Sequence, residues 1–136
     1  MKLRLLTAVA VLVSGAVHLW LWYDVFRSET VIGPMFLLNV AASIVIAGLL
    51  LRWKHWLPAF LAVGFGASTL GAFLIATTDN GLFGVHERWT GGWVFLAAAA
   101  ELVAIIGGAA VLVHERADSS ASELEDGVAV RGTHLD

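Results

Sequence analysis

The chain contains no cysteine, which excludes disulfides, thiolate metal sites and thiol redox chemistry together. Charge is also scarce. Only 14% of the 136 residues are Asp, Glu, Lys or Arg, where a soluble domain carries roughly 25%. No basic face is present, which removes nucleic acid as a partner. Catalytic triads, zinc-hydrolase motifs and phosphate-binding glycine loops are missing. Gly64-x-Gly66 falls inside an apolar run rather than between a strand and a helix, so it is not a nucleotide loop. No cofactor motif is evident.

What the chain has is hydrophobic length. Hydrophobic residues make up 59% of it. Roughly 20 apolar residues cross a bilayer core, and four segments meet that length, at about 4–23, 32–52, 56–78 and 91–113. The expected fold class is an all-α integral membrane protein, an up-down-up-down four-transmembrane-helix bundle over residues 1–114. Residues 115–136 hold six acids (Glu115, Asp118, Glu123, Glu125, Asp126 and Asp136) against Arg116 and Arg131. With no sustained apolar period, they read as an acidic, disordered cytoplasmic tail.

Basic residues give the orientation. With the N-terminus inside, Lys2, Arg4, Arg52, Lys54, Arg116 and Arg131 are cytoplasmic, and only Arg27 and Arg88 lie outside. That positive-inside bias predicts a multi-pass protein of the plasma membrane with both termini cytoplasmic. A basic start and the small residues Ser14-Gly15-Ala16 also fit a cleavable signal sequence. The apolar run continues past them through Leu19 and Leu21, which favours a retained span.

The first span places His18 inside an apolar segment and ends in Trp20, Trp22 and Tyr23. An ionisable group at that depth is costly, so it is expected to face other helices or a wet cavity. In span two, Gly33-Pro34 suits a helix start, and Asn39 and Ser43 share a face. The connection Arg52-Trp53-Lys54-His55-Trp56 is so short that spans two and three must form an antiparallel hairpin. Span three carries Gly64, Ser68 and Gly71, and span four aligns Ala97, Glu101, Ala104 and Gly108. Both stripes read as surfaces for close helix packing. Residues 79–92 form the longest and most polar connection, with an Asn80-Gly81 turn signal and the trio His86, Glu87 and Arg88.

Counting 1.5 Å per residue puts His18 about 8 Å below the outer end of span one and Glu101 about 12 Å below Trp93. Asn39, Ser43 and Ser68 fall at neighbouring levels. The sequence therefore predicts an outward-facing polar pocket of His18, Asn39, Ser43 and Glu101, with His86, Glu87 and Arg88 above it. A His18–Glu101 pair sharing one proton is its centre; the rival reading is that both groups fix helix register by hydrogen bonding. A metal site from His18, His86 and Glu101, with Glu87 as a further ligand, is a weaker expectation, because no two histidines have helical ligand spacing. Haem is poorer still, since His55 and His114 fall at the opposite surface. Ser14 and His18 at i,i+4 lack an oxyanion donor and make a poor nucleophile–base pair.

Three functions follow as expectations. The first is a small accessory, assembly or oligomerising subunit, partnered by the bilayer and by a larger membrane complex or its own copies. The second is a ligand-, proton- or metal-binding or transport protein using the pocket around His18 and Glu101. The third is a membrane enzyme acting on a lipid or quinone head group.

Overall fold

The computed structural model describes residues 1–132. Four helices organise them: α1 (Lys2–Leu21), α2 (Ile32–Arg52), α3 (Trp56–Ala76) and α4 (Gly92–Gly132). All are long and apolar enough to cross a membrane, and no strand occurs among the described residues. The outer surface shows why water is the wrong solvent. Leu5, Val9, Leu12, Ile44, Val45, Phe60, Ile75, Leu102 and Ile106 all lie exposed, and a soluble monomer rarely leaves so much apolar surface contiguous.

α1 packs along α2 and α4, and α3 packs along α4, whereas α2 and α3 meet over a short stretch only. The core is built largely from small side chains. Ala8, Ala10, Ala47, Ala59, Ala62 and Ala104 are buried together with Val11, Leu50 and Val111. Small residues let helix backbones approach, and in hydrocarbon that contact does the work that water expulsion does elsewhere. The closest approaches occur at glycines. A Cβ on Gly66 would lie 2.7 Å from the Glu101 carbonyl oxygen, and one on Gly108 would lie 2.8 Å from that of Ala59. Gly15 sits against the Ser43 side chain and Gly107 against Thr7.

The expected packing stripe on span three meets no neighbour within this chain. A Cβ on Gly64 or Gly71 would meet nothing within 4 Å, and Ser68 is exposed. The α3–α4 seam runs through Gly66 instead, two positions along and so on another face. On α4, Ala97, Ala104 and Gly108 are buried.

Two helices continue past their expected ends. α1 passes into a π-helical turn, Trp22–Phe26, where a polar connection was expected from residue 24. That turn buries Phe26, whose ring packs on Phe36 at 4.8 Å between centroids. Gly33 leaves room for it, since a Cβ there would lie 2.7 Å from the Phe26 carbonyl oxygen. α4 runs to Gly132, so the segment read as a disordered tail is helical as far as 132, and residues 133–136 lie outside the described residues. A helix already nucleated in the apolar span extends at small cost. Ser119 and Ser120 also satisfy themselves by donating to the carbonyls of Glu115 and Arg116.

At the end of the bundle holding residues 53–55, one buried side chain of α1 joins α2, the α2–α3 connection and α4. Arg4 of α1 donates through Nε and Nη2 to both Glu115 oxygens of α4, at 2.7 and 2.9 Å. Its Nη1 donates to the carbonyls of Leu50 and Trp53 at 3.2 and 3.0 Å, and Nη2 donates to that of His55 at 2.8 Å. These carbonyls belong to the last turn of α2 and the connection that leads into α3; that of Leu50 is among the last four of α2, which lack helical donors. The sequence reading had taken Arg4 as one more flanking positive charge.

Two outcomes are expected. Gly66→Ala and Gly108→Ala lower stability by about 1–3 kcal/mol through overpacking, while Gly64→Ala and Gly71→Ala stay within about 0.5 kcal/mol. Thermal unfolding in detergent followed by near-ultraviolet circular dichroism reads the contrast. Arg4→Gln costs about 2–3 kcal/mol by the same measurement. Arg4→Lys restores little of that loss, because an ammonium cannot reproduce a five-donor fork.

Candidate functional site

In the other half of the bundle, α2 and α3 diverge and leave a cavity of about 360 Å³ between them, closed behind by α1 and α4. Such a volume lies in the range of small-molecule sites, about 300–1,000 Å³. The walls are apolar: Phe26, Met35, Phe36, Ala72, Phe73 and Val94 are among them. Leu38, Met35 and Ser68 line the cavity yet are exposed on the outer surface, so the opening lies on the α2–α3 side.

The helices bring polar groups to the back of this space. Ser14 and His18, one turn apart on α1, face α4. There Gly66 admits the α4 backbone at the level of Glu101 and so holds its carboxyl group in place. Ser14, His18 and Glu101 are all buried. His18 Nδ1 donates to the Ser14 carbonyl at 2.8 Å, because a carbonyl can only accept. The neutral ring therefore keeps its lone pair on Nε2. That atom lies 3.8 Å from Glu101 Oε1, near but beyond direct hydrogen-bonding distance. Ser14 Oγ is 3.5 Å from the same oxygen. Phe36 covers the imidazole at 5.0 Å between centroids.

Across the cavity, Asn39 of α2 donates through Nδ2 to Thr69 Oγ1 at 2.9 Å, and Thr69 donates its own proton to the Phe65 carbonyl at 2.8 Å. With that proton committed, Thr69 needs a donor, and this fixes the Asn39 amide so that Oδ1 is left over. Among the described residues, Asn39 Oδ1 is the buried side-chain polar atom with no hydrogen-bond partner. An acceptor in that condition carries its full desolvation cost, about 1–3 kcal/mol.

The structure sorts the expected site residues. His18, Asn39, Glu101 and Glu87 line the cavity, and so does Ser68. Ser43 does not; it is buried beneath Gly15 and donates to the Val40 carbonyl at 2.7 Å. His86 and Arg88 are exposed and stand away from the lining. His86 Nε2 instead turns to the Asp79 carbonyl at 3.0 Å. Among the described residues no three His, Asp or Glu side chains converge, so the donor set expected for a metal is not assembled. The sequence reading missed the aromatic wall. Phe36 was within reach of it, three residues before Asn39 on the same face. Leu82 and Val85 were not. Their reciprocal backbone hydrogen bonds, 2.8 and 2.9 Å, form a tight turn with positive φ at Phe83 and Gly84, which carries both side chains to the cavity.

Glu87 stands at the loop end of the cavity, tied by its N–H to the Ala76 carbonyl at 2.9 Å. Partial burial pushes its carboxyl pKa up, opposed by a weaker backbone hydrogen bond from Arg88. A raised folded-state pKa means that ionisation of Glu87 opposes folding, and the penalty vanishes once pH falls below the ordinary carboxylate range. Glu87→Gln is expected to raise the thermal midpoint at about pH 7, with the advantage closing by about pH 4. Unfolding scans of both proteins across that interval check it; a gap that persists at acid pH would show that Gln acts through packing.

No protein-family model matches the chain, and no curated protein or solved structure resembles it significantly.

Proposed function

We propose that this protein binds a small amphipathic ligand within the membrane, polar end toward His18, Asn39 and Glu101 and apolar body against the Phe26–Phe36–Phe73 wall. The observation that carries this reading is a cavity of about 360 Å³ to which all four helices contribute, with the buried His18 and Glu101 3.8 Å apart at its back. A mostly apolar pocket with a few converging polar groups has the general composition of a ligand site. Intramembrane ionisable groups carry a functional expectation of their own. The topology that accompanies the proposal is up-down-up-down in the plasma membrane with both termini cytoplasmic. It rests on the six-to-two distribution of basic residues and on Arg4, which holds the start of α1 and the end of α2 at one level. In that orientation the cavity lies in the outer half of the bilayer. Its opening between α2 and α3 then admits ligand sideways from lipid.

A second reading has its own support. Gly48, Gly64 and Gly71 meet no neighbour, while Gly15, Gly66, Gly107 and Gly108 are all in close contact. An unoccupied small-residue face fits a further helix, from a larger membrane complex or a second copy.

Native mass spectrometry of the protein released gently from its own membrane separates the two. A small-molecule adduct on the wild type, lost in Glu101→Gln and His18→Ala with the bundle still folded, is the expected result. A bare chain associated with another subunit or with copies of itself would overturn the ligand reading and support the second.

A further inference from the structure

The polar residues lining the cavity are His18, Asn39, Ser68, Thr69, Glu87 and Glu101. Asn39 is engaged with Thr69, and its Oδ1 is buried without a donor. His18 spends its Nδ1 hydrogen on Ser14 and turns Nε2 toward Glu101. Ser68 and Thr69 both donate their hydroxyl protons to the Phe65 carbonyl, at 3.1 and 2.8 Å. The two remaining polar residues are carboxyl-bearing, Glu101 at the back and Glu87 at the loop end, and no Lys or Arg lines the space. Arg88, next in sequence to Glu87, is exposed and outside the lining. An anionic head would meet two carboxyl groups here and, among the described residues, no cationic side chain. A head group that brings donors is complementary, and one that also brings positive charge answers both carboxyl groups.

The walls agree with that sign. Phe26, Phe36 and Phe73 line the cavity, and aromatic faces attract a cation electrostatically when it lies within about 6 Å of the ring centroid. Phe36 already covers the His18 ring at 5.0 Å, so a head group held beside His18 and Glu101 comes near that face as well.

We propose that the ligand is an amphipathic amine, its ammonium group donating to Glu101 at the back of the cavity and its apolar body lying against the three phenylalanines. This inference rests on the ligand-pocket reading and narrows it to one chemical class.

The test uses three probes with one aromatic body and different heads: 1-naphthylmethylamine, 1-naphthylmethanol and 1-naphthylacetate. Each is radiolabelled and bound directly to the full chain in phosphatidylcholine nanodiscs at neutral pH, with empty discs subtracting partition into lipid. The amine is expected to bind at least tenfold more tightly than the alcohol, and the acetate not measurably. Glu101→Gln is expected to remove that preference. Should Glu101→Gln fail to fold, the comparison of heads on the wild type still decides, with Glu87→Gln as a loop variant expected to reduce the preference. Alcohol bound as tightly as amine, with both displaced by a bulky Ala42→Trp substitution in the lining, would overturn the amine assignment and leave the pocket standing. Failure of all three probes to bind would overturn the pocket along with it.

Discussion

The guanidinium of Arg4 is the constraint on which the rest of this bundle depends. Five hydrogen bonds tie it to α2, to the α2–α3 turn and to α4. Three of its acceptors are the carbonyls of Leu50, Trp53 and His55, so one side chain ties down the end of α2 and the turn that follows it. Arg4 itself is only 4% exposed. The side chain therefore closes one end of the bundle electrostatically. On that side of the bundle Leu50, Ala59, Ala62, Val11 and Val111 are buried in one core cluster. Fastened at the 53–55 turn, α2 and α3 are free to separate toward their other ends. The cavity begins at Ala42 and Ser68, in that direction from the turn. A closed half and an open half are two consequences of one placement of charge.

The same polarity explains which parts of the structure were legible in the sequence. Helix number and approximate limits follow from hydrophobic length, which is a property of each segment alone. The shared level of His18 and Glu101 was legible because helical rise is fixed at about 1.5 Å per residue, and counting from each end brings the two side chains to neighbouring depths. Asn39 was legible for the same reason. Features that depend on the rotation of one helix against another were not. Gly64 and Gly66 look equivalent in a list of small residues, yet only Gly66 faces α4. Ser43 shares a face with Asn39, but Gly15 draws α1 over it and removes it from the cavity. The loop is a further case. His86, Glu87 and Arg88 are consecutive, and the positive φ angles at Phe83 and Gly84 help decide which of them turns inward. Arg4 escaped notice because a basic residue at the start of a span already has an ordinary explanation, so nothing in its spacing asked for another.

A cavity is an expensive feature in a bundle this small. Its lining forgoes dispersion contacts that a packed core would make, and Asn39 Oδ1 forgoes a hydrogen bond. Folding alone gives no reason for either. Leucine at position 39 would leave Thr69 to its bond with the Phe65 carbonyl and would remove the orphaned acceptor. Natural sequences that break a local rule of polar satisfaction tend to do so at functional sites, with compensation elsewhere. Here the compensation is visible in the opposite half, where Arg4 makes five bonds and α3 and α4 meet at glycine. The polar groups of the open half are also unlike a set chosen to fix helix register. Groups that hold helices together pair donor with acceptor across the interface, as Asn39 Nδ2 does with Thr69. Glu101 and His18 Nε2 instead stand 3.8 Å apart without a direct hydrogen bond at the back of a cavity that also holds Glu87, an arrangement the proposed ammonium group would complete.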